Sequence, residues 1–442
     1  MCGMSNVGLM RKVLSIAWPM IISELSDSLY SIADTYFVAR LGATALAAVA
    51  IGSYLSWLFF VVIALFSMGA LVVVSQSYGA RELEKAREAI GISLIYGFIA
   101  TLLTSILMYM AAYHAIKLIS GESPQLVELA VQYFRIRILG LSIFLVAFVM
   151  DSSLRAVGAT KLSMIAILTS CLLNIILDPI MIYGLFGFPA MGVSGAALAT
   201  VISIAYMAPV EFIFLKRLGL TPIVSLSIPK VKNIVKIGAP AATERLIFSV
   251  GNNAYIAFIA RCGDVALAAH QIGVRIESFI YMPGFAFSIA ASALTGQEIG
   301  RGDVGNGKRV GWEATKLSLL FMGILGVIVA LTSKYLVAPF SPTEDVANLA
   351  SIYLILAGLS EPGLALAMTL SGAIRGGGNT LIPMILNAVG LYSFRVFPAA
   401  VLTSRIGVVG AWIAMFIDVY LRGLIFLAIY RKLFERLVRR VI

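Results

Sequence analysis

Asn174 and Asp178 stand four residues apart in LLNIILDPIMIYG, one turn along the same side of a helix. Asp34 stands in a comparably apolar run, DSLYSIADTYFVARLG, seven residues after Asp27. Carboxylates, a carboxamide and a hydroxyl such as that of Thr200 are hard oxygen ligands of the kind Na+ takes. Two acids in one cavity also repel, which a shared proton relieves. Both chemistries hold a small cation, and the residue types do not choose between them. Tyr30 and Tyr133 offer aromatic faces to a cationic or planar ligand, although tyrosine belts at membrane surfaces leave the same mark. Asp151 ends another apolar run one turn before Arg155, so it either pairs with that arginine or lines the cavity.

An acid in mid-bilayer costs about 2.5–3.5 kcal/mol on insertion scales, so it must face a bundle interior. The chain supplies such bundles. Of its 442 residues 60% are hydrophobic and 12% charged, where a soluble domain carries about 25% charge. Apolar windows of about twenty residues predict an all-α polytopic membrane protein of twelve spans, at 13–38, 46–77, 88–113, 127–154, 160–184, 193–215, 233–260, 266–297, 310–333, 345–372, 380–403 and 407–431. Alternate connections carry 21 Lys and Arg on one side and 5 on the other. The positive-inside rule then places both termini in the cytoplasm of a multi-pass cell-membrane protein. The net charge of +11 faces anionic lipid rather than a nucleic acid. The first apolar segment is too long and too acidic for a cleaved signal peptide. Cys2, Cys171 and Cys262 lack metal or disulfide spacing, and His114 and His270 stand far apart. No GxxxxGK loop is present. Neither an enzyme, a cofactor nor ATP drive is expected.

The chain repeats itself. Shifted by 221 residues, Pro19 lies over Pro240 and ARLGATALAA (39–48) over ARCGDVALAA (260–269); later, RAVGAT (155–160) lies over RGGGNT (375–380) and GVSGAALA (192–199) over GVVGAWIA (407–414). Two six-helix lobes, 1–215 and 233–442, joined by a cytoplasmic linker at 216–232, follow from this, with a site between or within them. The duplication is its own control. Asp34 lies over Tyr255, Asn174 over Phe394, Asp178 over Pro398 and Thr200 over Met415. A fold that two copies share does not require an acid that one of them lacks. In the second copy Arg395 puts positive charge at this level, and Glu244 with Arg245, Arg275 with Glu277, and Asp418 with Arg422 read as charge-neutral networks. His270 reads as a hydrogen bonder at a helix end.

In this order and spacing the segments WPMIISEL, ADTYFVARLGATALAAVAIG, NIILDPIMIYG, GVSGAALAT, AAHQIGVRIESFIYMPGFAFS and GQEIG resemble the multidrug and toxic compound extrusion (MATE) family over essentially the whole chain, most closely its prokaryotic, DinF-like branch. The resemblance implies two lobes around a cleft and export of amphipathic, often cationic compounds in exchange for inward Na+ or H+. It implies a cation site of Asp34, Asn174, Asp178 and Thr200, and a bend of the first helix at Pro19. Tyr30, Tyr133, Asp151, Tyr255 and Arg395 are the candidate substrate contacts. The expected partners are small amphipathic solutes and membrane lipids, and the expected state is a monomer. A lipid or lipid-linked oligosaccharide flippase of the same superfamily is the rival reading, kept open by Arg245, Arg275 and Arg395.

Overall fold

The computed structural model describes residues 6–120 and 123–442; Cys2 lies outside them. The first repeat consists of α1 (Asn6–Ala39), α2 (Ala43–Gly79), α3 (Leu83–Ser120), α4 (the segments Pro124–Leu139 and Leu141–Ala156), α5 (Thr160–Tyr183) and α6 (Val193–Arg217). The second consists of α7 (Ile228–Ala260), α8 (Asp264–Gly300), α9 (Val304–Val337), α10 (Glu344–Gly376), α11 (Leu381–Ile406) and α12 (Val408–Leu437). The expected two times six helices are present. Among the described residues nine helices are long and apolar enough to cross a membrane, and α4 makes ten when its two segments, bent by 47°, are joined. Outside that set stand α1 and α7, the equivalent helices of the two repeats. Both carry ionisable side chains well inside their length: Glu24, Asp27 and Asp34 on one, Glu244 and Arg245 on the other.

The duplication is visible in the backbone. Gly42 and Gly263, at matched positions before α2 and α8, have φ of 108° and 102°, a conformation open to glycine and strained for other residues. At the next such turn Arg81 (φ 63°) occupies the position that Gly302 (φ 83°) fills in the second copy.

The chain forms two compact units, and α1 and α7 each contribute to both. One unit is Ile22–Ala242; the other joins the residues up to Ile21 with Thr243–Ile442. In the second unit the start of α1 (Leu9, Val13, Ile16, Ala17, Met20) packs into a core with Phe287 and Leu294 of α8, Leu370 of α10 and Phe426 of α12. In the first unit the start of α7 packs on α2, where a Cβ on Gly238 would lie 1.8 Å from the Leu65 carbonyl oxygen. Pro19 and Pro240 therefore stand two or three residues before the point at which each helix leaves one unit for the other. A proline inside a helix removes a backbone donor and weakens the ladder at that point.

The segment expected as a linker is strapped to α3. Ile223 N–H donates to Arg87 O (3.1 Å), Arg87 Nε donates to Thr221 O (2.8 Å) and Tyr96 OH donates to Leu226 O (3.1 Å). Its last residues, from Ile228, already belong to α7. Two prolines act differently from each other. Pro179 does not end α5, which continues to Tyr183, whereas α11 opens into a π turn at Leu391–Val396, just before Pro398. The missing N–H of Pro398 removes a donor at that turn.

Candidate functional site

In the first unit α5 and α6 lie in close contact. A Cβ on Gly195 would come within 2.4 Å of Met181 O. Farther along the same pair, Ser170 Oγ donates to Ser203 O at 2.7 Å. This seam sets the polar residues of α5 against Thr200. The Asn174 side chain bridges the two helices, with its NH2 donating to Asp178 Oδ2 (3.0 Å) and its oxygen accepting from Thr200 N–H (3.2 Å). From α1, Tyr30 OH meets Thr200 Oγ1 at 3.2 Å. Asp34 lies one turn after Tyr30, and its charge and that of Asp178 act on each other. Asp178, Asn174 and Thr200 are buried.

Two atoms define the chemistry of this group. Oδ1 of Asp34 and Oδ1 of Asp178 are both buried and both lack a hydrogen-bond partner. Buried carboxylate oxygens are ordinarily satisfied, and an orphan costs about 1–3 kcal/mol. Among the described residues neither carboxylate is held in an ion pair by Lys or Arg. The donor set fits a small hard cation: two orphan carboxylate oxygens with the Thr200 and Tyr30 hydroxyls beside them. Asn174 contributes differently from a simple ligand, because its donor is engaged by Asp178 and fixes that carboxylate. No cluster of three or more His, Cys, Asp or Glu suited to a metal ion occurs among the described residues.

Arg137 of α4 belongs to the same neighbourhood. Its charge acts on Asp34, Tyr30 and Tyr133, its guanidinium lies 5.0 Å from the Phe144 ring centroid, and its Nε and Nη1 are buried without a hydrogen-bond partner. It stands one turn after Tyr133 and two residues after Arg135, a stretch that sequence reading did not single out beyond Tyr133. The comparison of copies singles it out, since Arg137 lies over Ala357. Tyr133 is buried against α2, where a Cβ on Gly52 would sit 2.6 Å from its ring, and its OH accepts from Ser53 Oγ at 3.0 Å.

A second polar cluster adjoins the first. Asp151 Oδ2 is 2.6 Å from Arg155 Nε, and its Oδ1 accepts from Ser163. Arg155 also approaches Glu24 Oε1 at 4.0 Å, and Cys171 Sγ donates to Asp27 Oδ1 at 3.6 Å. A cavity of about 90 Å³ is lined by Tyr30, Asn174 and Thr200 from the first cluster and by Asp27, Asp151 and Arg155 from this one. Asp151 thus both pairs with Arg155 and lines a cavity.

The remaining candidates fall in the second unit. Arg395 Nε (2.9 Å) and Arg422 Nη2 (2.7 Å) both donate to Asp418 Oδ2. Arg375 Nη2 donates to both oxygens of Glu244 (2.6 and 2.9 Å), and Asn387 Nδ2 donates to Glu244 Oε1 (2.7 Å). Tyr255, 1% exposed, gives its hydroxyl proton to Ala411 O at 2.9 Å and lies under Arg395. His270 differs from expectation. It is buried edge-on between the Tyr255 and Tyr353 rings, at 5.9 and 5.1 Å between centroids, and its Nδ1 has no partner.

Two repeated six-helix segments of spanning length, with polar groups gathered inside each, place the protein among polytopic membrane transporters. It belongs to the MatE family: that family's model matches residues 19–180 and again 240–401, the two matches separated by the same shift as the repeat. The chain is 30% identical over 429 residues, 93% of its own length and 90% of the relative's, to the probable multidrug resistance protein NorM of Thermotoga maritima. It is 25% identical to the probable multidrug resistance protein YoeA of Bacillus subtilis over 89% of this chain and 88% of that one. Solved structures share the fold. The Vibrio cholerae MATE transporter VcmN in the bent form superposes with a TM-score of 0.90 at 20% identity, covering 98% of each chain. An outward-facing multidrug resistance MATE family transporter of the MOP superfamily does so with a TM-score of 0.90 at 23% identity, covering 99% of each.

Proposed function

We propose that the protein is a secondary antiporter of the cell membrane that exports amphipathic, often cationic organic compounds in exchange for inward Na+ or H+. Both termini face the cytoplasm and the working unit is a monomer. The observation that carries the reading is the pair of buried, donorless oxygens, Asp34 Oδ1 and Asp178 Oδ1. Two acids placed like this in apolar surroundings are stable only with a proton or a cation to compensate them. Asn174 fixes Asp178, Thr200 supplies a hydroxyl, and Tyr30 ties the site to α1 through Thr200. Ion occupancy at Asp34 is felt along the helix that carries Pro19, and α1 belongs to both units. Reciprocal linkage then requires substrate and ion each to weaken the other's hold in at least one state of the cycle. Tyr30, Tyr133 and Asp151 are the substrate contacts in this unit. The names of the curated relatives support drug-like substrates. Of the arginines that kept the flippase reading open, Arg395 is engaged by Asp418.

The test is transport in proteoliposomes with a Na+ gradient and a pH gradient imposed one at a time, for wild type and Asp34→Asn. One gradient drives export by the wild type, and the variant, produced at normal level, does not respond to it. Equal gradient-driven export by both removes Asp34 from the coupling site.

A further inference from the structure

Glu211 lies in the last third of α6 and takes no part in the group around Asp34. It is wholly buried, at 0% exposure, and neither of its carboxylate oxygens has a hydrogen-bond partner. It stands one turn from Met207, which packs with Ala147, Ala166 and Ile167 in an apolar cluster. Its position in the second copy is held by Phe426, so the shared fold does not ask for an acid there. The groups that face it are those of α4: Asp151, whose carboxyl is within hydrogen-bonding reach, and Arg155. Arg155 is already engaged by Asp151 at 2.6 Å and approached by Glu24 at 4.0 Å, with Asp27 of α1 also in its field. Ser163 of α5 donates to Asp151. Glu211 therefore has no counter-charge of its own. Two carboxyl groups lack any donor between them and can join only through a proton. A metal cation is the poorer occupant, because the Arg155 guanidinium already holds the positive position beside Asp151.

We propose that Glu211 and Asp151 form a second proton-binding site, distinct from the group around Asp34, which gives up its proton when a positively charged substrate enters the cavity that Asp151 lines. The inference rests on the proposed export of cationic compounds. Asp151 and Arg155 share that cavity with Asn174 and Thr200, so a cation inside it approaches Asp151 directly and acts on Glu211 behind it. Its field favours ionised Asp151 and Glu211 and expels the proton between them. Substrate and proton then exclude each other at this point, as exchange requires. A rival account exists: Glu211 could be a permanently neutral carboxyl whose only task is to donate to Asp151. Glutamine is the neutral isostere, so the two accounts separate cleanly.

The experiment is proton release on binding of tetraphenylphosphonium, a cation with no proton of its own, to purified protein in weakly buffered detergent containing a pH indicator. Wild type, Glu211→Gln and Asp34→Asn are compared. Wild type releases protons as the probe binds, Glu211→Gln releases one fewer per molecule bound, and Asp34→Asn keeps the release that belongs to Glu211. Equal release by wild type and Glu211→Gln overturns the proposal, as does binding to wild type without release. Failure of wild type to bind the probe overturns it together with the reading of cationic substrates. Gradient-driven export that survives Asp34→Asn sinks the assignment of Asp34 alone. If Glu211→Gln is not produced in folded form, Glu211→Asp carries the test. Drawing the carboxyl back by one methylene moves the pH range of release, and an unchanged range overturns the proposal.

Discussion

Replacing Asp178 by Asn should leave the protein at least as stable as wild type while abolishing gradient-driven export. The contacts determine both outcomes. In the variant the amide oxygen takes the place of Oδ2 and accepts from Asn174 at the present 3.0 Å, so the bridge from Asn174 to Thr200 N–H is kept. The amide NH2 takes the place of Oδ1, which has no donor now. A buried unsatisfied group costs about 1–3 kcal/mol, and more when charged. Replacing the charged orphan by a neutral amide, and removing its repulsion with Asp34, gains about 1–2 kcal/mol in alkaline buffer, where carboxyl groups are ionised. Thermal unfolding followed by size exclusion in detergent measures the first half, with the variant expected to melt a few degrees higher in the absence of Na+. Proteoliposome transport measures the second half. A variant that melts lower than wild type by the equivalent of about 1 kcal/mol or more would show that Asp178 has a structural partner, and retained coupled export would show that no ion uses it. Either result refutes the reasoning from the orphan oxygens.

Two further outcomes rest on contacts elsewhere in the first unit. Arg137 places a fixed positive charge in reach of Asp34; removing it in Arg137→Gln should tighten the coupling cation by on the order of 1 kcal/mol, about fivefold in half-saturating concentration, while Arg137→Lys stays near wild type, as read from the ion dependence of transport. Gly238→Ala drives a Cβ onto the Leu65 carbonyl, 1.8 Å away; backbone cannot yield as a side chain does, so the loss exceeds the roughly 1–3 kcal/mol usual for overpacking and shows as reduced melting temperature and yield, whereas Leu65→Ala, which leaves that carbonyl in place, does not rescue it.

Much of this architecture is legible in the sequence because hydropathy and duplication are both local patterns. Twelve apolar windows gave the helices, and one fixed shift gave the repeat. The residues of the candidate cation site were visible as polar exceptions, and the second copy indicated which of them the fold could do without. What escaped was not local. That α1 up to Ile21 packs with α8, α10 and α12, and the start of α7 with α2, depends on partners more than a hundred residues away, and no window sees them. Arg137 and Glu211 escaped for another reason. Glu211 sits in an apolar run without a second polar residue at helical spacing to mark it, and Arg137 stands beside Arg135 one turn after Tyr133; the alignment of copies, with Phe426 and Ala357 opposite them, would have exposed both. The DP pair is ambiguous as well, since a proline either stops a helix or is absorbed within it. Here α5 runs through Pro179 to Tyr183, so Asp178 lies inside a helix and not at its end.

The two units differ in how many buried acids they leave without a basic partner, and this difference supports the proposal that the first holds the moving ion. In the second unit Asp418 is engaged by two arginines, Glu244 by Arg375 and Asn387, and Glu277 by the hydroxyl of Tyr353. These acids have permanent partners, and charge-assisted bonds of this kind hold one arrangement. In the first unit Asp34, Asp178 and Glu211 each present at least one buried oxygen to no donor. The second unit has its own exceptions: Glu361 is buried with neither oxygen partnered, and Asp418 leaves its Oδ1 without a donor. A transporter cannot couple to an ion at a carboxylate that its own arginines satisfy in every state, because a site already neutralised gains nothing from occupancy. On the proposed reading, the orphaned acids leave the first unit able to answer the arrival and departure of a proton or Na+, and the paired acids of the second do not.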